Sequence, residues 1–405
     1  MLADRMPGLP ERPILKYYAY VATAWGGFHL PVDVLLFQSR GLTLEQVGLL
    51  TAVGSAVTIL AEIPTGYVGD RIGRRNSLLV SSGLMTAGAV TFATVRSFPA
   101  FVFAQVTFIV GGTFRSGTTD AWLYDYLDAH GREDEFARLS GRARSALLVV
   151  LGVTSVAGGY LGNYDYGYAY LATAVVTGTS FLVVTTMSEP PRSGERDDRL
   201  TVSSVATSVW EDLGRPDVRP VVIGLGLFFG VATGLNAVFI QPVATSVGVS
   251  VDQLGWLFAA LTGAGAVASY ATGWIEERVE TERWLVGVPL AVGITFAGIA
   301  VLPALAVPAF LLLRAVQRVT QSLAGQYLND RVRSAGRATV LSVFGMVYSV
   351  FGIPVRIGGG RLAEAMPVTT AVAVVGSTLL VGSAYLGVRL SLGGSATGRT
   401  ESVAE

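Results

Sequence analysis

The chain contains twelve apolar segments that are each long enough to cross a lipid bilayer as a helix. A spanning helix needs about 20 predominantly apolar residues, because the hydrocarbon core is about 30 Å thick. Only 14% of the residues are charged, against about 25% in an average soluble domain. The sequence therefore predicts an all-α integral membrane protein. Its predicted spans, numbered 1 to 12, occupy residues 14–38, 44–69, 75–96, 99–127, 138–161, 166–187, 218–245, 251–275, 283–303, 305–330, 338–362 and 367–389.

Basic residues outside the spans are concentrated in alternate loops, such as residues 71–75 after span 2. The opposite side carries only Arg40, Arg96 and Arg361. Cytoplasmic loops hold the excess of basic residues in membrane proteins, so both termini are predicted to be cytoplasmic. Lys16 is the only lysine among the 29 basic residues. That skew is typical of a GC-rich prokaryotic genome, and the predicted location is the plasma membrane of a prokaryote.

The sequence repeats itself once. A shift of 207 residues aligns GLTLEQVGLL at 41–50 with GVSVDQLGWL at 248–257, and it aligns 61–71 with 268–278. Repeated halves build many transporters, whose substrate site lies between the halves near the bilayer midplane. This pattern favours two pseudo-symmetric six-helix bundles. The predicted N-terminal bundle, cytoplasmic linker, C-terminal bundle and flexible cytoplasmic tail are residues 1–187, 188–217, 218–390 and 391–405.

The loop between spans 2 and 3 reads GYVGDRIGRR at residues 66–75. It resembles the signature GxxxDRxGRR of the major facilitator superfamily at every specified position. A solvated basic loop would explain the arginines but not the spacing of the glycines. In that family the aspartate docks on the C-terminal half, and the arginine pairs with an acid at the inner end of helix 4. The resemblance implies a cytoplasmic gate made of Gly66, Gly69, Asp70, Arg71, Gly73, Arg74 and Arg75, with Asp125 as the acid.

Charged side chains within the first two spans are candidates for proton coupling. His29 and Asp33 are four residues apart, so a continuous helix places them on one face. Histidine titrates near neutrality, and an intramembrane His-Asp pair can hold or pass a proton. The alternative is that Asp33 reaches outer water while His29 only bonds to a neighbour. Glu62 in span 2 either takes up a proton or is a static partner of an arginine.

Span 4 reads VGGTFRSGTTDAWLYDYL, in which Gly117 closely follows Arg115. It resembles a second signature of the same family, whose arginine is tied to proton transfer. At about 100° per residue Asp120 lies about 140° round the helix from Arg115, so the two do not pair directly. The same helical phase places Thr119 and Trp122 on the face of Arg115. The proton-coupling candidates are His29, Asp33, Glu62, Arg115 and Asp120.

Polar side chains on spans 4, 7 and 10 are the candidates for the substrate cavity, because helices 1, 4, 7 and 10 line the cavity in the resembled family. Asn236 occupies the repeat position of His29. The alternative for each residue is a hydrogen bond between helices with no substrate contact. The cavity candidates are Thr119, Trp122, Asn236, Gln241, Arg314, Gln317, Arg318 and Gln321. The arginines that fall within spans are Arg115, Arg314, Arg318 and Arg356.

These features favour a secondary transporter. The chain has no GxxxxGK[ST] loop for a nucleotide-driven pump. The first hypothesis is proton-coupled export of small amphipathic or drug-like molecules. The alternatives are uptake or facilitated diffusion of a metabolite such as an organic anion, and, more distantly, a membrane sensor or scaffold without turnover. Span 5 lacks the proline of the antiporter motif, which leaves the direction open.

The expected partners are a small-molecule substrate, protons and the lipid bilayer. The net charge of zero gives no sign of nucleic-acid binding. We expect no enzyme activity, no cofactor and no metal, since the chain has no cysteine and only two histidines. A monomer suffices for this architecture.

Overall fold

The protein is represented by a computed structural model that describes residues 11–191, 219–329 and 337–401. Within these ranges the secondary structure is helical throughout, and the order of the helices is consistent with the twelve predicted spans. Eight of the described helices are long and apolar enough to cross a membrane. Most of the predicted linker, 188–217, lies outside the described residues. The last helix continues to Glu401, through the first part of the predicted tail.

The helices of spans 1 to 6 are Arg12–Thr23 with Gly27–His29 and Asp33–Ser39, Leu44–Ile72, Arg74–Thr94, Phe98–Arg115 with Thr118–Asp128, Phe136–Gly162, and Tyr166–Thr185. Those of spans 7 to 12 are Arg219–Val238 with Ile240–Ser246, Val251–Glu276, Thr281–Gly298, Ala306–Asn329, Arg337–Ala365, and Val368–Glu401.

Span 1 is interrupted. Its first helix ends at Thr23, a single 3-10 turn occupies Gly27–His29, and the second helix begins at Asp33. Gly27 lies against span 5, where its N–H donates to Thr154 Oγ1 at 3.2 Å. Pro31 has no N–H to continue a helical ladder. The continuous helix expected across this span is therefore wrong.

Span 4 is also interrupted. Its first helix ends at Arg115, and the second begins at Thr118. Between them Gly117 has a φ of 71°, in the left-handed region that favours glycine. Residues before and after the break therefore do not follow one continuous helical spacing. Their separation in sequence does not show whether they lie on the same face.

The repeat seen in the sequence is present in the backbone. The short helix Asp33–Ser39 corresponds, at the shift of 207 residues, to Ile240–Ser246. Each is followed by a left-handed glycine at the equivalent position, Gly41 with a φ of 90° and Gly248 with a φ of 94°. Spans 2 and 8 both begin three residues after these glycines. The two halves therefore turn between spans in the same way.

The described residues form two compact units. The first contains the residues up to Leu30 together with those from Leu60 to the start of the linker. Its core includes an aromatic stack in which Trp122 lies between Tyr17 and Tyr126, at centroid distances of 6.1 and 5.6 Å. Close packing of these rings contributes to the stability of the unit.

The second unit contains Pro31–Ile59, which is the second part of span 1 and the first part of span 2, together with the C-terminal spans. The Leu44 N–H donates to Glu364 Oε1 at 2.6 Å. A side chain on Gly48 would overlap the carbonyl oxygen of Arg356, and one on Gly360 would overlap that of Leu44. Small residues allow such close approach of membrane helices. By their contacts, residues 31–59 thus belong to the second compact unit.

Candidate functional site

The signature loop is a tight turn between two helices. Span 2 remains helical through Ile72, and span 3 begins at Arg74. Gly73 alone makes the turn, with a φ of 95°. The structure leaves open space beside Gly66, whereas a side chain on Gly69 would meet Ser77 Oγ at 3.0 Å. The glycine requirement of the motif is therefore strongest at position 73.

Glu189 binds the start of span 3. Its Oε1 accepts from the Arg74 N–H at 2.6 Å, and its Oε2 accepts from the Arg75 N–H at 2.8 Å. The first N–H groups of a helix have no partner within the helix and attract negative charge. A Cβ at position 73 would lie 2.6 Å from Glu189 Oε1, so glycine also leaves room for the carboxylate. Sequence reasoning missed Glu189, because nothing local marks a residue so distant in the chain.

Arg74 pairs with two other predicted gate residues, Asp70 and Asp125. Its Nη1 lies 2.7 Å from Asp70 Oδ1, and its Nε lies 3.2 Å from Asp125 Oδ2. The Asp70 side chain is 69% exposed, against 15% for Asp125. Since exposed ion pairs contribute little, the enclosed Asp125 contact is the stronger of the two. The structure brings these residues together within the first unit; their action as a gate stays a prediction.

The remaining motif arginines lie against neighbouring groups. Arg75 Nη2 donates to the Thr185 carbonyl at 2.9 Å. The Arg71 guanidinium stacks on the Tyr67 ring at 4.2 Å, and in the second half Arg278 stacks on Trp274 at 4.3 Å. The two pairs are related by the shift of 207 residues. The loop copies therefore share this cation–π contact although the second lacks the Gly-Arg-Arg ending.

We expect Glu189→Gln to destabilise the first unit by about 1–2 kcal/mol. A glutamine offers one acceptor oxygen, so one of the two N–H groups would face an amide NH2. Thermal unfolding of the purified protein in detergent measures the effect. Glu277→Gln is the matched control, since that side chain is 76% exposed and its one ion pair among the described residues is with its neighbour Arg278 at 3.4 Å. Equal unfolding temperatures for the two variants would show that the carboxylate does not stabilise the turn.

His29 is enclosed in the first unit. Its Nδ1 shares a hydrogen bond of 3.2 Å with Thr173 Oγ1. The rings of Tyr170 and Phe108 lie at centroid distances of 5.1 and 5.7 Å. The expectation that His29 and Asp33 share one helix face is wrong, because His29 ends the 3-10 turn and Asp33 begins the next helix. Their part in proton coupling stays a prediction.

Asp33 is bound by Gln241 in the second unit. Gln241 Nε2 donates to Asp33 Oδ1, and Gln241 Oε1 accepts from the N–H groups of Val34 at 2.9 Å and Leu35 at 3.2 Å. The amide therefore caps the start of Asp33–Ser39 as well as holding its carboxylate. Gln241 is 1% exposed, so it joins two helices and does not line a cavity as predicted.

Glu62 and Arg115 have neutral neighbours in the first unit. Glu62 Oε1 accepts from Ser116 Oγ at 2.8 Å. The Arg115 guanidinium lies 4.8 Å from the Trp25 ring centroid, and its Nε is buried without a hydrogen-bond partner. Within the described ranges neither residue forms an ion pair. An unpaired charge in a membrane span points to function, since its burial is costly.

The other three candidates on span 4 lie in the helix that follows the break. Asp120 pairs with Arg144 of span 5 at 2.6 Å. Trp122 is 1% exposed in the aromatic core, and its Nε1 donates to the Ser188 carbonyl at 3.0 Å. Its assignment to the cavity is wrong, because the break at Gly117 interrupts the helical phase used to place it. Thr119 Oγ1 bonds to the Arg115 carbonyl at 3.4 Å.

Polar candidates on spans 7 and 10 meet in the second unit. Asn236 Nδ2 donates to Gln317 Oε1 at 3.1 Å, while Asn236 Oδ1 is buried without a partner. Arg314 and Arg318 both pass beside Gly265 of span 8, at 3.7 and 3.4 Å from its Cβ position. Arg318 and Gln321 are exposed. Among the cavity candidates of spans 7 and 10, Asn236 and Gln317 are therefore joined by a hydrogen bond.

Comparison with known sequences extends over most of the chain. The sequence profile of the Major Facilitator Superfamily matches residues 18–355. The uncharacterized MFS-type transporter YxaM of Bacillus subtilis (strain 168) is 22% identical over 350 residues, which are 81% of this chain and 86% of that protein. The class C tetracycline resistance protein of Escherichia coli is 25% identical over 265 residues, 55% of this chain and 65% of that protein.

Comparison with solved structures gives the same fold. The crystal structure of the nucleoside transporter NupG superposes with a TM-score of 0.75, covering 93% of this chain and 96% of that one at 13% sequence identity. Identity that low indicates a shared fold and nothing about substrate. The profile match covers most of the chain, and the internal repeat and the signature turn at Gly73 are consistent with it. The chain therefore belongs to the Major Facilitator Superfamily of multi-pass membrane transporters.

Proposed function

We propose that the protein is a proton-coupled exporter of small amphipathic or drug-like molecules that works by alternating access. It would act in the plasma membrane of a prokaryote as a monomer, with both termini in the cytoplasm and without chemical change to the substrate. Family membership supports transport; coupling, direction and substrate are the proposed parts.

The observation that carries proton coupling is the setting of two intramembrane carboxyl groups. Asp33 is held by Gln241 and a backbone N–H, and Glu62 by the hydroxyl of Ser116. Neither has a cationic partner in the part of the chain that the structure describes. A fixed positive charge would hold a carboxylate permanently ionised. Without one, each group can bind and release a proton as its surroundings change.

Two observations support the choice of an amphipathic or drug-like substrate. The similarity to a tetracycline resistance protein favours it. So does the aromatic setting of the first unit, where Arg115 is stacked on Trp25.

A second candidate is uptake or facilitated diffusion of a metabolite such as an organic anion. Arg115 has no acidic partner among the described residues, and Arg314 forms no ion pair there either. Unpaired guanidinium groups suit an anionic solute. Competition for transport by organic anions, but not by lipophilic cations, would favour this candidate.

Proton movement in inside-out vesicles tests the proposal. We expect at least one compound from a panel of lipophilic cations, organic anions and sugars to collapse part of an imposed pH gradient, as reported by a pH-sensitive dye. The effect should be lost in Arg115→Ala and Glu62→Gln and be absent from vesicles without the protein. If no compound moves protons while labelled anions or sugars still equilibrate, the protein is a facilitator and the proposal fails.

A further inference from the structure

Span 6 presents one continuous exposed face. Its exposed residues recur at intervals of three or four, as Tyr168, Leu171, Val175, Thr179 and Leu182. Residues with this spacing lie on the same side of a helix. The one hydroxyl of an aliphatic residue among them, Thr179 Oγ1, donates to the Val175 carbonyl at 2.9 Å and needs no partner outside the helix. In a membrane protein, an exposed apolar face of this length contacts the acyl chains of lipids.

A groove opens on this face where span 6 packs against the first helix of span 1. Its volume is about 420 Å³. Leu182 and Val183 line it from span 6, and Leu15 and Ala19 line it from span 1. Leu182 is 64% exposed and Leu15 is 40% exposed, so the groove is open to the surroundings of the protein. Its apolar walls and open side suit a hydrocarbon chain.

Lys16 lies at one end of the groove. Its ammonium group donates to the carbonyl of Thr186, the residue that follows the last turn of span 6. An ammonium group has three N–H donors, so it can bond to a ligand as well. Arg12 is exposed one helical turn before Lys16 and shares its face. Neither side chain forms an ion pair among the residues that the structure describes.

The groove therefore combines positive charge at one end with an apolar remainder. A small soluble anion would use the charge but leave the apolar walls uncovered, and a neutral lipid would cover the walls but leave the charge unpaired. An anionic phospholipid matches both parts. The excess of basic residues on this side of the spans predicts that Lys16 lies at the cytoplasmic leaflet, where anionic lipids bind to basic pockets between helices.

We propose that this groove binds an anionic phospholipid of the inner leaflet. The phosphate is held by Lys16 and Arg12, and one acyl chain lies between spans 1 and 6 along Ala19 and Leu182. This lipid site goes beyond the proposed transport function, and it does not depend on the coupling ion, the direction or the substrate.

Thermal unfolding of the purified, delipidated protein in a neutral detergent tests the site. The probes are dioleoylphosphatidylglycerol and dioleoylphosphatidylcholine, which have the same acyl chains and differ in net charge. The anionic lipid is expected to reach half of its stabilising effect at a concentration at least about 5-fold lower. Lys16→Gln should remove this preference and Lys16→Arg should retain it. Arg96→Gln, at an exposed position on the predicted outer side, should leave it unchanged.

Ala19→Leu tests the place of the acyl chain. The larger side chain would fill part of the groove while Lys16 is retained, so both lipids should bind more weakly. Val175→Leu is the matched control, since that residue is 69% exposed on the same face of span 6 and does not line the groove. Ala19→Leu also keeps the site testable if Lys16→Gln does not fold, because the lysine bond to Thr186 is then intact.

Four results would overturn the site. They are equal stabilisation by the two lipids, an unchanged preference in Lys16→Gln, unchanged lipid binding in Ala19→Leu, and stabilisation by glycerol 1-phosphate equal to that by the anionic lipid. The last result would mean a site for a soluble phosphate. Because Lys16→Gln also loses the bond to Thr186, each variant is compared by the change that lipid causes and not by its unfolding temperature alone.

Discussion

An Asp33→Asn variant is expected to fold normally and to reduce proton-coupled flux to the level of vesicles without the protein. The asparagine keeps an acceptor oxygen for the bonds from Gln241 and the Val34 N–H, so the local structure should persist. An amide cannot bind and release the proton of a carboxyl group. Dye-detected proton movement in inside-out vesicles, with expression measured in parallel, gives the result.

Asp165→Asn is the matched control for this variant. Asp165 caps span 6 by accepting from the Gly167 N–H at 2.6 Å, and asparagine is an equally good cap. Asp165→Asn therefore replaces a carboxyl group by an amide, as Asp33→Asn does, but at the end of span 6, where we expect no effect on proton-coupled flux. Unchanged coupling in Asp33→Asn would remove Asp33 from the mechanism and leave Glu62 as the proton carrier to test.

Gly158→Ala is expected to cause the largest loss of stability among single substitutions in the first unit. A Cβ at this position would overlap the carbonyl oxygen of Phe28 in the 3-10 turn of span 1. The backbones of spans 1 and 5 would have to separate, which we expect to cost about 3 kcal/mol or more. Thermal unfolding in detergent should show a clear fall in the transition temperature.

Gly152→Ala is the control on the same span. No atom lies within 4 Å of its Cβ position, so the substitution should stabilise the helix by about 0.5–1 kcal/mol. If both variants unfold at the same temperature, the close approach of Gly158 to Phe28 does not contribute to stability.

The positions of the spans are predictable from sequence because each apolar segment must pair all its backbone groups internally within lipid. The repeat is predictable because equivalent turns in the two halves need residues of the same kind at equivalent positions. Gly41 and Gly248 both adopt a left-handed conformation, and the sequence alignment places them opposite each other. The salt bridge between Arg74 and Asp125 follows the arrangement that the resemblance implies.

The interruptions of spans 1 and 4 are not predictable by the same reasoning. The chain has 49 glycines, most of them compatible with helices in a membrane, so sequence does not single out Gly117 as a break. The errors at Trp122 and at the His29–Asp33 pair both follow from treating a broken helix as continuous. The bonds of Glu189 and Gln241 were missed because each depends on packing between distant segments.

The grouping of residues 31–59 with the C-terminal spans affects how related transporters can be recombined. A hybrid protein joined in the linker would inherit Asp33 from one parent and Gln241 from the other. It would also mix the parents at the Leu44–Glu364 bond and at the glycine contacts of spans 2 and 11. The natural unit of exchange is therefore discontinuous in sequence: residues 31–59 belong with the second half of the chain.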